Sequence, residues 1–116
     1  MKINKLGKTD LMVSQLGIGF ARSGYAMDSL YKVRKLIHTG LDAGINFIDT
    51  AECYGNSEEI LGQIIPTVRN KLIIATKVGH LADDFKGIQW TYQAIDQSIN
   101  NSLKKLNVDF IDIVHL

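Results

Sequence analysis

The chain has 116 residues and a mass of 12.9 kDa, room for one small domain, whereas a closed eight-stranded α/β barrel takes about 250. Apolar residues make up 46% and charged residues 22%, and 13 Lys+Arg against 12 Asp+Glu leave a net charge of +1, so no field draws in nucleic acid or an anionic membrane. A single Cys excludes an internal disulfide, no stretch approaches about 18 apolar residues, and MKINKLGKTD has no apolar core behind its lysines; a cytoplasmic address with no membrane partner is expected.

Residues 2–14 read as a hairpin, with Ile3, Leu6, Leu11 and Val13 flanking the turn signal Gly7-Lys8-Thr9-Asp10. Leu16-Gly17-Ile18-Gly19-Phe20 is the first strand of the main sheet, and its glycines fit close approach of another backbone or a ligand. Over 28–43, Leu30, Val33, Ile37 and Leu41 fall at helical spacing, Leu36 widens the stripe, Asp28 is an N-cap and Gly44 a C-terminal stop. A buried strand from Ile45 to Ile48 ends at Asp49.

A second helix is predicted at about 57–65. Asn56 and Glu59 have the spacing of a capping box, and Pro66 ends the helix. Leu72 to Thr76 is a strand closing on Lys77, and 79–90 is a long polar loop. A third helix covers about 91–107, with Ile95, Ile99, Leu103 and Leu106 on one side and Trp90 anchoring the loop to it. Phe110 to His115 is the last strand. A hairpin followed by β-α-β-α-β-α-β argues for a parallel sheet with right-handed crossovers.

Asp49, Lys77 and His115 end successive strands, where α/β folds build their sites. Adjacent strands lie about 4.8 Å apart, so the three fall within side-chain reach. Parity agrees: Phe47 and Asp49, Ile73, Ala75 and Lys77, and Ile111, Ile113 and His115 each share a face. Tyr54 lies in the loop after Asp49. A phenol ionises only near pH 10, an adjacent ammonium favours its anion, and a carboxylate keeps that ammonium in place. Asp49, Lys77 and Tyr54 then form a proton-delivery unit, with His115 a second donor or orienter.

Singly, each residue has a plain structural reading: a turn cap, a packing aromatic, a solvated lysine, a core histidine. Their joint placement at matching strand ends selects the chemical one. Cys53 has no His or second Cys near it in sequence, so neither metal binding nor thiol catalysis is expected. His38 is expected in solvent, His80 lies in the long loop, and Asp112, pointing away from His115 toward the helices, reads either as a second functional carboxylate or, the favoured reading, as a hydrogen-bonded structural one. Gly17-x-Gly19 lacks the third glycine of a dinucleotide fingerprint.

The chain resembles the N-terminal half of an aldo-keto reductase. The resemblance runs through Leu16-Gly17-Ile18-Gly19, Ala43 to Ala51, Tyr54-Gly55-Asn56-Ser57-Glu58, Ile74-Ala75-Thr76-Lys77, Ser102 to Leu106, and Asp109 to His115. It implies an N-terminal hairpin plus a (β/α)4-type parallel sheet, the first half of a TIM (β/α)8 barrel. It further implies reduction of an aldehyde or ketone with NADPH. Its catalytic tetrad matches Asp49, Tyr54, Lys77 and His115: Tyr54 the general acid, Lys77 its activator, Asp49 the partner of Lys77, and His115 the orienter of the carbonyl. Gly19, Phe20 and Asp49 would touch the cofactor, although Phe20 and Ala21 stand where the family often carries small or hydroxyl residues. The family's strands five to eight, which hold most of the NADPH site, have no counterpart in residues 1–116. The expectation is therefore one domain over 1–116, truncated after its fourth strand, that binds a small carbonyl substrate once a C-terminal half or a second copy completes it. The alternative is a non-catalytic half-barrel that self-associates or binds a partner, as accessory subunits in the family do.

Overall fold

The computed structural model describes residues 1–21, 30–79 and 88–116, so Asp28 and His80 lie outside the described residues, as does most of the 79–90 loop. β1 (Ile3–Lys5) and β2 (Met12–Ser14) form the expected antiparallel hairpin. The side chain of Asn46 docks it: its carbonyl oxygen accepts from the Ser14 N–H at 2.7 Å, and its amide donates to the Met12 carbonyl at 2.8 Å. Asn46 precedes the strand Phe47–Asp49, so the hairpin sits at the N-terminal end of the main sheet, opposite Asp49.

The main sheet is parallel throughout, in the order β3 (Gly17–Gly19), β4 (Phe47–Asp49), β5 (Ile73–Lys77), β6 (Ile113–His115). Gly17 pairs with Phe47 and Phe47 with Ile73; Gly19 pairs with Asp49, Asp49 with Ala75, and Ala75 with Ile113. One face therefore carries Phe47, Asp49, Ile73, Ala75, Lys77, Ile113 and His115. The other carries Ile48, Ile74 and Thr76, all fully buried under the helices. The last strand is shorter than expected. Before it begins, the Asp112 carboxylate accepts from Arg69 Nη2 and from the Ile74 N–H, each at 2.8 Å. That bears out a structural reading of Asp112.

α1 (Leu30–Asp42) buries Val33, Ile37 and Gly40. Leu36 faces solvent instead of widening the stripe, because the buried row turns through Gly40. Gly44 (φ 82°) stops the chain as expected: its N–H bonds to Leu41 and that of Ile45 to Gly40, satisfying the last carbonyls.

α2 is shorter than predicted, Ser57–Gly62, and two 3₁₀ turns, Ile65–Thr67 and Arg69–Lys71, follow it. Pro66 falls in the first of these turns and does not end the helix. The capping box does not form: Asn56 makes no side-chain cap bond, and Ser57 and Glu58 turn inward and are buried. Gly62 explains the tight fit, since a Cβ there would collide with the carbonyl of Lys105 on α3 (Tyr92–Leu106). Thr91 caps α3 by accepting from the Ala94 N–H, and Asn107 (φ 54°) ends it. The most buried stripe of α3 is Ala94, Ser98, Ser102 and Leu106; Ile95, Ile99 and Leu103 flank it. Small side chains let α2 and the β4–α2 loop approach the helix closely.

Candidate active site

Parity and register bring three strand-end side chains to one place. Lys77 Nζ donates to both oxygens of Asp49, at 2.7 and 2.6 Å, and to the carbonyl of Thr50 at 3.2 Å. Lys77 pairs in register with His115 on β6. The Tyr54 ring centroid lies 5.1 Å from the same ammonium. The four expected residues thus line one cavity of about 560 Å³, together with Trp90 and Leu116 and with Cys53 and Val78 at its walls.

The charge state of Lys77 follows from opposed effects. Partial burial works against its ammonium, and the hydrogen bonds and charge of Asp49 outweigh that, with Tyr54 adding in the same direction. The group is held above the ordinary lysine value.

Tyr54 comes from a loop, and the loop is fixed by buried polar bonds. The Thr50 N–H donates to the Ala75 carbonyl, and the Tyr54 N–H to that of Ala51. The Ser57 hydroxyl donates to the Phe20 carbonyl at 3.1 Å, which leaves the Thr50 hydroxyl to donate to Ser57 Oγ at 3.0 Å. Glu52 reaches the other way, to Ser98 and Asn101 on α3.

The glycines of β3 differ in purpose. A Cβ at Gly17 would meet the Phe47 ring at 2.8 Å, so its bareness makes room for that ring, whereas a Cβ at Gly19 meets nothing within 4 Å. Gly19 shares the Asp49 face and opens on a groove that also includes Asp49. Phe20 points the other way: its ring is 1% exposed in the hydrophobic core, so it offers no side-chain contact to a cofactor. Trp90, two residues before α3, has φ 65°, donates its backbone N–H to the Gly79 carbonyl, and lays its ring over Gly79 at the cavity. No periodic signal marks it, because it lies between elements. Among the described residues no cluster of His, Cys, Asp and Glu could hold a metal, and no helix is long and apolar enough to cross a membrane.

The Aldo/keto reductase family model matches residues 15–116. The chain belongs to the aldo/keto reductase family. It is 35% identical to the uncharacterized oxidoreductase YqkF of Bacillus subtilis, covering 100% of this chain and 39% of that protein. It is 34% identical to 6-dehydroglucose reductase of Novosphingobium aromaticivorans, covering 94% of this chain and 39% of that one. The solved holo form of aldo-keto reductase AKR11C1 from Bacillus halodurans superposes with a TM-score of 0.83 at 34% identity, over 98% of this chain and 39% of its own. The chain thus spans about two fifths of the length of these aldo/keto reductase relatives, and its four-stranded sheet is part of their barrel.

Proposed function

We propose that this chain carries the proton-delivering side of an NADPH-dependent carbonyl reductase that converts an aldehyde or ketone to an alcohol. The observation that supports it is the Lys77 ammonium, chelated by Asp49 and set 5.1 Å from the Tyr54 ring, in one cavity with His115. An ammonium beside a phenol stabilises the anion left when the phenol gives up its proton. Asp49 fixes that ammonium and keeps it charged. Tyr54 Oη then donates the proton to the carbonyl oxygen, and His115, one strand away from Lys77, orients the carbonyl. Trp90 and Leu116 add apolar surface to the wall of the cavity.

The residues present fit one end of NADPH. Gly19 and Asp49 line open space where a nicotinamide edge would lie, and when bound the cofactor supplies the hydride. Among the described residues they do not fit its phosphates: Lys77 in the cavity is held by Asp49, and Lys5 in the groove is paired with Asp10. The unit over 1–116 therefore works with the rest of a barrel, contributed by a C-terminal half or a second copy. By itself it is expected to bind NADPH weakly and to turn none over; tight binding in a fluorescence titration would contradict that.

The deciding experiment is Tyr54→Phe in the protein with a complete barrel, following NADPH consumption with a simple aldehyde. Loss of the rate by about 10²–10⁴-fold is expected for removal of a general acid. A full rate would take Tyr54 out of that role. A second reading, a non-catalytic half-barrel that binds a partner, draws on the two sheet edges at β3 and β6, each paired on one side only among the described residues. Cytoplasmic residence is part of the first reading, since a nicotinamide-dependent enzyme works where that cofactor is held reduced.

A further inference from the structure

Asp49, Lys77 and His115 are placed by the sheet, but Tyr54 comes from the loop between β4 and α2 and needs its own support. Glu52 sits in that loop, two residues before the phenol, and is 3% exposed. Oε2 accepts from the Ser98 hydroxyl at 2.6 Å, Oε1 accepts from the Asn101 amide at 2.9 Å, and the Lys105 ammonium lies 3.9 Å from Oε1. All three partners are on α3, and Ser98 lies on its most buried stripe. A buried carboxylate contributes less to stability than apolar residues of similar volume would, while removing its partners is costly. What such a group does supply is direction, since two short bonds to one helix fix both its oxygens. Glu52 also adjoins Ala51, whose carbonyl accepts the Tyr54 N–H at 3.1 Å. The chain from α3 to the phenol is therefore Ser98 and Asn101, then Glu52, then the Ala51–Tyr54 turn.

We propose that Glu52 is a positioning residue for Tyr54, tying the loop that carries the phenol to the third helix. The inference rests on the carbonyl-reductase reading above. A misplacement of about 1 Å at a reacting group costs on the order of 100-fold in rate. In the protein with a complete barrel, Glu52→Ala should lower kcat by about 10–100-fold while leaving KM for NADPH unchanged. Glu52→Gln, which keeps the shape and one acceptor, should recover most of the loss. Ser98→Ala combined with Asn101→Ala approaches the same tie from the helix side, and should lower kcat likewise if Glu52→Ala does not fold.

A purely structural role would lower the thermal midpoint of these variants but leave kcat per folded molecule intact, and that result would overturn the proposal. So would a Glu52→Gln variant as slow as Glu52→Ala. Tyr54→Phe run in parallel separates the two levels. If it is inactive while Glu52→Ala is fully active, only the positioning role falls; if Tyr54→Phe keeps its full rate, both readings fall.

Discussion

The Thr76 hydroxyl donates to Glu58 Oε1 at 2.7 Å on the outer face of β5, one residue before Lys77 turns the opposite way into the site. Burial pushes the Glu58 carboxyl above its ordinary value of 4.5, with Glu52 adding upward, against the Thr76 and Ser102 hydroxyls and the charge of Lys105, which pull it down.

A raised folded-state value means the folded chain holds this proton more tightly than the unfolded chain does. The stability Glu58 contributes is complete below pH 4.5 and is lost as pH rises from there through the folded-state value. Glu58→Gln should therefore leave the thermal midpoint nearly unchanged at pH 4 and raise it at pH 8. Melting curves across that range, showing the same wild-type–variant difference at every pH, would refute this.

Lys77→Met removes the cation beside Tyr54 and should slow carbonyl reduction almost as much as Tyr54→Phe. Asp49→Asn keeps the size but not the charge, so its loss should be smaller, with Lys77 less firmly held. Initial rates of the three variants in the protein with a complete barrel test the order; a fully active Lys77→Met would break it.

Gly62→Ala should destabilise the fold by about 1–3 kcal/mol, since the added methyl collides with the carbonyl of Lys105 and two helices must part to admit it. Chemical denaturation gives the value directly. An unchanged midpoint would mean that α2 and α3 can separate at little cost.

The chain on its own should associate. Among the described residues β3 and β6 each lack a neighbour on one side, and Ile88, Trp90, Tyr92 and Leu116 expose large apolar side chains. Sedimentation at micromolar concentration should reveal a dimer or larger species. A stable monomer that binds no ANS would count against both a self-associating and a complemented half-barrel.

The strand ends were legible because a period of two is unambiguous where each strand closes on an ionisable residue. Asp49, Lys77 and His115 needed no more than parity, and Gly44 needed only its place after a helical stripe. The β4–α2 region was harder to read. Asn56 and Glu59 have capping-box spacing, yet Ser57 and Glu58 are drawn inward by Thr50, Phe20 and Thr76, which lie 7, 37 and 18 residues from the side chains they bond. On α3 the apolar residues suggested a buried side through Ile95 and Ile99, whereas Ser98 and Ser102 occupy the closest approach. Polar residues reading as solvent-facing were a buried layer, and only tertiary partners reveal that.

Alternation along β5 has a further result for folding. A slide of this strand by a single residue would exchange its two sides, bringing the ammonium toward Glu58 and the Thr76 hydroxyl toward Asp49. Either mispairing joins a donor to a carboxylate, so polar complementarity alone discriminates poorly between alignments. The choice falls to Ile74, which would be pulled out of the core, and to Asp112, which clasps the Ile74 N–H together with Arg69 at the far end of the strand. A pair remote from the cavity thus proofreads which carboxylate Lys77 meets.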